Sequence, residues 1–483
     1  MILRLESALA ALGAACLCAA AADAVQPEEN NLWPIRVTQL ADAEGVERWS
    51  SLGPLSFGSI DEAGNELRGF RPLWHRFDGE DGSTAVSIAY PFWYHIADGT
   101  SDRERWTFFN LINSDSGSDQ TDRFSVWPFY FSRDTGEKKS SYRALFPIYG
   151  DIKNRFGQGR LEWLLAPLFV RYQNDHEITT ATPWPFLKII RGAGHTGFEF
   201  WPLAGKRENT GVSQRQFLLW PLGFQSKANL DTDAPTYRSG FLPFYAQTDS
   251  PGFRSESFLW PFFGYVDRTS PVRYHAKHLL YPFWVQGRGE ERYVNRWAPF
   301  FSQSRSPART QTWMLWPLWR DRQWDSNHLH HHRQQLLYFL YNAEVQQSLQ
   351  SPDLAPAIKR HVWPLFSHWD NGAGQVQVQA FSPFDVFFPH HKRMRQMWST
   401  LFAIYRFDQS RPGEIRHSFL WDAITYADSA ERHHREFHLG PLFDYTRNAE
   451  GKRWGFLAGL LSIERTANGS LRASSRLPSF SRR

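Results

Sequence analysis

Residues 255–267 read Ser-Glu-Ser-Phe-Leu-Trp-Pro-Phe-Phe-Gly-Tyr-Val-Asp. An apolar centre built around one proline is flanked by polar ends. Residues 161–172 and 123–133 follow the same plan. Aromatic and β-branched content between polar punctuation favours a strand, and a proline inside a helix costs about 3 kcal/mol. The stretch therefore predicts one strand with a proline near its middle.

The centre recurs at intervals of about nineteen residues. Copies include Trp127-Pro128-Phe129, Phe146-Pro147-Ile148, Trp184-Pro185-Phe186, Trp201-Pro202-Leu203, Trp220-Pro221-Leu222, Tyr281-Pro282-Phe283, Trp316-Pro317-Leu318 and Trp363-Pro364-Leu365, and the series runs from Trp33-Pro34-Ile35 to Leu477-Pro478-Ser479. A fixed period means one structural unit repeated. Between copies lie turn-forming clusters such as Asp78-Gly79-Glu80-Asp81-Gly82-Ser83, Ala97-Asp98-Gly99-Thr100 and Asp370-Asn371-Gly372, which supply positive φ and side-chain turns. Strand, tight turn, strand is a meander. The expected fold is all-β, an antiparallel meander of about two dozen strands, closed as a large β-barrel. A β-solenoid and a two-layer sheet are the alternatives. A propeller is disfavoured, because four such strands exceed a blade's usual ~40–50 residues.

Proline cannot donate to a ladder and is normally kept out of central strands. A whole row of prolines implies either a crease across the sheet or the start of a second strand after each proline. The segment around residues 320–360 breaks the rhythm. It reads as a longer loop or plug, with a short helix around 342–350.

The chain has 483 residues, 16% of them aromatic, with 22 Trp and 39 Phe, yet it is polar on average. That combination suits a water–lipid boundary better than an ordinary core. A net charge of +5 without a Lys/Arg block gives no footprint for nucleic acid. Residues 1–24 read as a secretory signal: Arg4, a small-residue apolar run from Ala8 to Ala22, and a cleavage pattern at Ala22-Asp23-Ala24. Residues 25–483 then form a single β-repeat domain. Both cysteines, Cys16 and Cys18, lie in the signal segment, so the mature chain has no thiol chemistry. A lipid-anchor reading of Cys16 fits poorly, because Leu12 stands one place too far away.

In its Trp-Pro-Phe and Pro-Leu-Phe phrases the chain resembles uncharacterised bacterial exported proteins built on such repeats. The resemblance covers most of residues 25–483 and implies export without implying an activity.

No Gly-rich phosphate loop, Gly-x-Ser-x-Gly, His-Glu-x-x-His or paired carboxylates appear, so no catalytic residue, enzyme activity or cofactor is expected. His328, His330, His331 and His332, with His390-His391 and His433-His434, form the metal candidate. Adjacent histidines of an extended chain point to opposite sides, and a solvated loop is the simpler reading. Asn113 to Asp122 is rich in calcium-type oxygens but lacks the glutamate at the twelfth position of an EF-hand loop, and reads as a polar turn. The expected role is that of an outer-membrane protein, a channel or an envelope export or structural component, with membrane lipid as partner. The alternative is a periplasmic or surface scaffold that binds a glycan or an envelope protein.

Overall fold

A computed structural model describes residues 25–40, 45–117, 121–388 and 395–475. The expected signal segment lies outside them. The fold is an all-β antiparallel meander of 45 strands, numbered β1 to β45 in chain order. This corrects the expected two dozen.

The reason is local. Residues 255–267 are not one strand but parts of two, β25 (Phe253–Phe258) and β26 (Phe263–Arg268), with Phe258 opposite Phe263. The proline phrase Leu259-Trp260-Pro261-Phe262 is the turn between them, closed by the Phe262 N–H donating to the Leu259 carbonyl at 3.0 Å. The Trp260–Pro261 peptide is cis, as it is before the proline in the matching turns, the geometry of a type VI turn. Each nineteen-residue repeat is therefore an up-strand, an apolar turn, a down-strand and a polar turn. The proline row is neither a crease nor a strand start. It stays out of the ladder because it sits where the ladder reverses.

Strands run from 4 to 8 residues. Among the described residues no hydrogen-bonded pairing joins β45 (Leu471–Ser475) to β1 (Glu29–Leu32), so the ladder does not close into the expected barrel. The segment expected to be a loop or plug contains the longest strands of all: β32 (Trp319–Ser326), β33 (Leu329–Leu336) and β34 (Tyr341–Ser348), in full register. The expected helix at 342–350 is β34. Its polar residues looked loop-like because both faces of these strands carry charge.

The chain divides into two compact units. One comprises residues 63–373 and 381–402, the other residues up to 62, 374–380 and 403 onward. In the first, one sheet face is the more buried, and small side chains there accept the rings of the next strand. Trp163 on β15 (Gln158–Leu164) lies over Gly150 on β14 (Tyr149–Arg155), its register partner. A Cβ added at Gly150 would stand 2.2 Å from the Trp163 ring. Trp163 also packs with Phe131, Tyr142, Ala144 and Ile152 in a small apolar cluster.

In the second unit, β1 is held by residues far along the chain. The backbone N–H groups of Glu28 and Glu29 donate to the Glu436 carboxylate of β41 (His434–Leu439), the second at 3.1 Å. Nε2 of His434 and of His438 lies 2.8 and 3.3 Å from the same carboxylate. Glu29 accepts from Thr425 at 2.6 Å and from Arg416 at 3.0 Å, and Arg416 also binds Asp422. Burial opposes the charge on Glu436, but the two imidazoles outweigh it and hold its pKa down to about 2. The same contacts, also against burial, raise both histidines.

Gly150→Ala should cost about 1–3 kcal/mol in thermal or urea unfolding, because a buried indole must move. The Glu436 clasp should have a pH window. Its carboxylate contributes above about pH 4.5, and that contribution is lost as pH falls toward 2. Its histidines contribute below about 6.5, and that is lost as pH rises through their raised values. Protection of the Glu29–Leu32 amides, measured relative to their intrinsic exchange rates at each pH, should be greatest between the two limits, and Glu436→Gln should cost about 3 kcal/mol there.

Candidate functional site: an apolar hairpin edge

Because turns alternate, every proline phrase of the first unit reaches the same edge of its sheet. The opposite edge carries polar turns such as Gly289-Glu290-Glu291-Arg292 and Ser326-Asn327-His328. The polarity therefore runs along the strands, from an apolar tip to a charged end, rather than across the sheet.

The apolar tips stand in the open. Phe300 is 69% exposed, Leu218 64%, Trp316 58% and Trp220 50%. Neighbouring tips touch one another: the rings of Trp201 and Trp220 are 6.0 Å apart, as are those of Phe186 and Trp201. The last strand position before each turn continues the row on one face, with Phe241, Phe258, Leu279, Trp297 and Met314 all exposed. Deeper positions on that face are polar, as in Gln247 opposite Glu256.

The backbone donors of two of these turns are all employed. In Leu219-Trp220-Pro221-Leu222, Leu219 donates to Leu203 at 2.6 Å, Trp220 to Pro202 at 2.7 Å and Leu222 to Leu219 at 2.8 Å. Proline has no N–H to place. In Leu315-Trp316-Pro317-Leu318 the same three bonds go to Phe300, Pro299 and Leu315, each at 2.7 Å. Each turn is thus stitched to the one before it, and no backbone donor of these two turns needs water.

The first residue of the turn adopts positive φ without being glycine: Leu165 (45°), Leu219 (51°), Leu259 (45°), Leu280 (47°) and Leu315 (48°). This conformation costs an L-residue roughly 1–2 kcal/mol. The side chain gained in exchange is half exposed and buries little. Folding alone gives no reason to prefer leucine there over glycine.

The histidine candidates are separated by the structure. His328 lies in a polar turn. His330 and His332 meet Asp325 and Asp321 at 2.7 and 2.8 Å on one face of β33, while His331 meets Glu344 at 3.1 Å on the other. His434 belongs to the Glu436 clasp, and His390-His391 lie outside the described residues. Among the described residues no group of three or more His, Cys, Asp or Glu is arranged to hold a metal. Of the oxygen-rich stretch, Ile112–Ser116 is β10, where Asp115 is paired with Arg103 at 2.8 Å and Arg105 at 3.2 Å. Residues 118–120 of that stretch lie outside the described ones. The sequence showed the period of the aromatic phrases but placed them at strand centres instead of exposed turns. The signal that could have shown it is the proline itself, which a strand centre excludes.

A scan against protein-family models and a search of curated proteins return no match for this chain.

Leu219→Gly tests the cost of the leucine. Relief of the αL penalty outweighs glycine's extra unfolded-state entropy of roughly 0.5–1 kcal/mol. In detergent-free buffer the variant should be as stable as the parent, or more stable by up to about 1 kcal/mol, in chemical unfolding.

Proposed function

We propose that this is an exported envelope protein that works on an outer membrane, seated edge-on in one lipid leaflet by its apolar hairpin tips, with a structural or export role. The observation that carries this reading is the row of exposed aromatic turns whose backbone donors are bonded turn to turn. Peptide groups that enter hydrocarbon must find partners within the protein, and Trp-rich tips suit the headgroup boundary. An apolar edge of this extent marks a contact with lipid or another apolar partner.

Magnitudes favour seating over spanning. A membrane strand needs ~9–11 residues, and these strands have 4 to 8 with apolar character at one end only. A turn plus one or two rows of residues at roughly 3.3 Å each reaches the ~5–10 Å depth of interfacial elements. The apolar run at Ala8–Ala22, read as an export signal, supports the envelope location.

The test is Trp fluorescence of the purified full-length protein with vesicles carrying quenchers at defined depths. Shallow quenchers should reduce emission strongly and bilayer-centre quenchers weakly. Trp220→Ser with Trp316→Ser should weaken vesicle binding several-fold. Failure to float with vesicles would leave a soluble scaffold, and steady conductance in planar bilayers would restore a channel.

A further inference from the structure

The other face of β31 (Arg309–Met314) to β36 (Phe366–Asp370), the one away from His330 and His332, collects cations. Strand alternation puts Arg309, Arg320, Arg322, Arg333 and Lys359 there, and Arg395 reaches it from the short helical stretch Arg395–Ser399. Arg322 lies directly opposite Arg333 in register, an arrangement that destabilises a bare sheet. Tryptophans hold the guanidinium planes. Trp313 stacks under Arg320 at 4.9 Å, and Trp324 lies 4.5 Å from Arg322 and 5.2 Å from Arg333. Trp369 lies 5.2 Å from Lys359 and 4.4 Å from Arg395.

Negative charge is short. Glu344 stands between Arg333 and Lys359 in register and takes the ion pairs with Arg333 and His331, with Gln346 donating to it at 2.8 Å. Asp385, whose charge acts on His361, accepts the hydroxyls of Ser367, Ser382 and Ser399 at Oδ2, at 3.3, 2.5 and 2.9 Å, while its Oδ1 is buried with no hydrogen-bond partner among the described residues. Among the described residues Arg320 finds Gln311 at 3.2 Å, while Nε of Arg320 and of Arg322 is buried with no hydrogen-bond partner. Burial, then the repulsion of Arg309, Arg322 and Arg333, lowers the proton affinity of Arg320, and the same causes act on Arg322.

Buried donors without partners, on a charge-imbalanced face of pre-oriented guanidinium forks, describe an anion site. We propose that this face binds a phosphate group, between Arg320, Arg322 and Arg333, with a phosphate monoester as the ligand class. A dianion matches the surplus of cations better than a single carboxylate. The source is either a lipid headgroup or a soluble phosphate ester. Arg322 lies three residues beyond Trp319, the first of its strand, so roughly 10 Å above the apolar turn, the height of a headgroup if the edge is seated as proposed.

The experiment begins without lipid. Thermal unfolding of the full chain is followed in phosphate-free buffer and with added inorganic phosphate. The expected result is a rising midpoint for the parent, an apparent phosphate affinity roughly tenfold weaker in Arg322→Gln, and no change in Arg305→Gln on the opposite face. Without phosphate, Arg322→Gln should be no less stable than the parent, since it removes a like-charge pair. Vesicles of phosphatidylcholine with and without phosphatidic acid then separate the sources. Arg322-dependent enhancement by phosphatidic acid assigns the lipid, and phosphate binding without it assigns a soluble ester. The proposal is overturned if phosphate leaves the parent's midpoint unchanged, if both variants weaken binding alike, or if Arg322→Gln is destabilised in phosphate-free buffer. The phosphate arm needs no membrane, so its failure is distinct from a failure of edge seating.

Discussion

A turn built from Leu, Trp, Pro and Leu can enter an apolar environment only if its N–H groups are already spoken for. An unpaired buried N–H costs as much as a lost hydrogen bond, and the alternative, solvation by water, conflicts with a coat of aromatic side chains. The meander resolves this by bonding each turn to its predecessor and by using the one residue that has no N–H. The nineteen-residue period, the exposed aromatics and the positive-φ leucines depend on that arrangement. Without the turn-to-turn bonds, the tips would carry unpaired amides, and a lipid-facing edge would be closed to them.

The sequence made the class of fold plain and its unit opaque. Alternating polar and apolar segments with Asp, Asn and Gly punctuation indicate a meander, and the structure is one. Apolar runs such as Phe258 to Phe263 were ambiguous because hydrophobicity ordinarily marks a strand centre and polarity a turn, and here half the turns invert the rule. The proline objected to the centre assignment on hydrogen-bonding grounds, and that objection was the correct signal.

The region around residues 320–360 misled for the converse reason. Period-2 reasoning looks for one apolar face, and β32 to β34 have charge on both. The cationic face was nevertheless written in the sequence as a spacing. Gln311, Arg322, Arg333 and Glu344 follow one another at intervals of eleven residues, one strand plus one turn, so that they fall into a single row of the ladder. The histidines show the limit of composition: His331 and His332 are neighbours in sequence and lie on opposite faces.

Almost every contact in this molecule is local, between a strand and the next. Among the described residues the N-terminal segment departs from this: it meets Arg416, Asp422, Arg432 and Glu436, and the Glu436 clasp brings together residues separated by 407 positions. Closing a loop of that length costs about 3 kcal/mol more chain entropy than closing one repeat. Hairpins can form as they emerge, and β1 can pair with β2 at once, whereas the Glu436 carboxylate that holds its N-terminal end is absent until β41 exists. The clasp is therefore made late, long after the β1–β2 hairpin, and its closure reports that the chain has been made at least as far as β41.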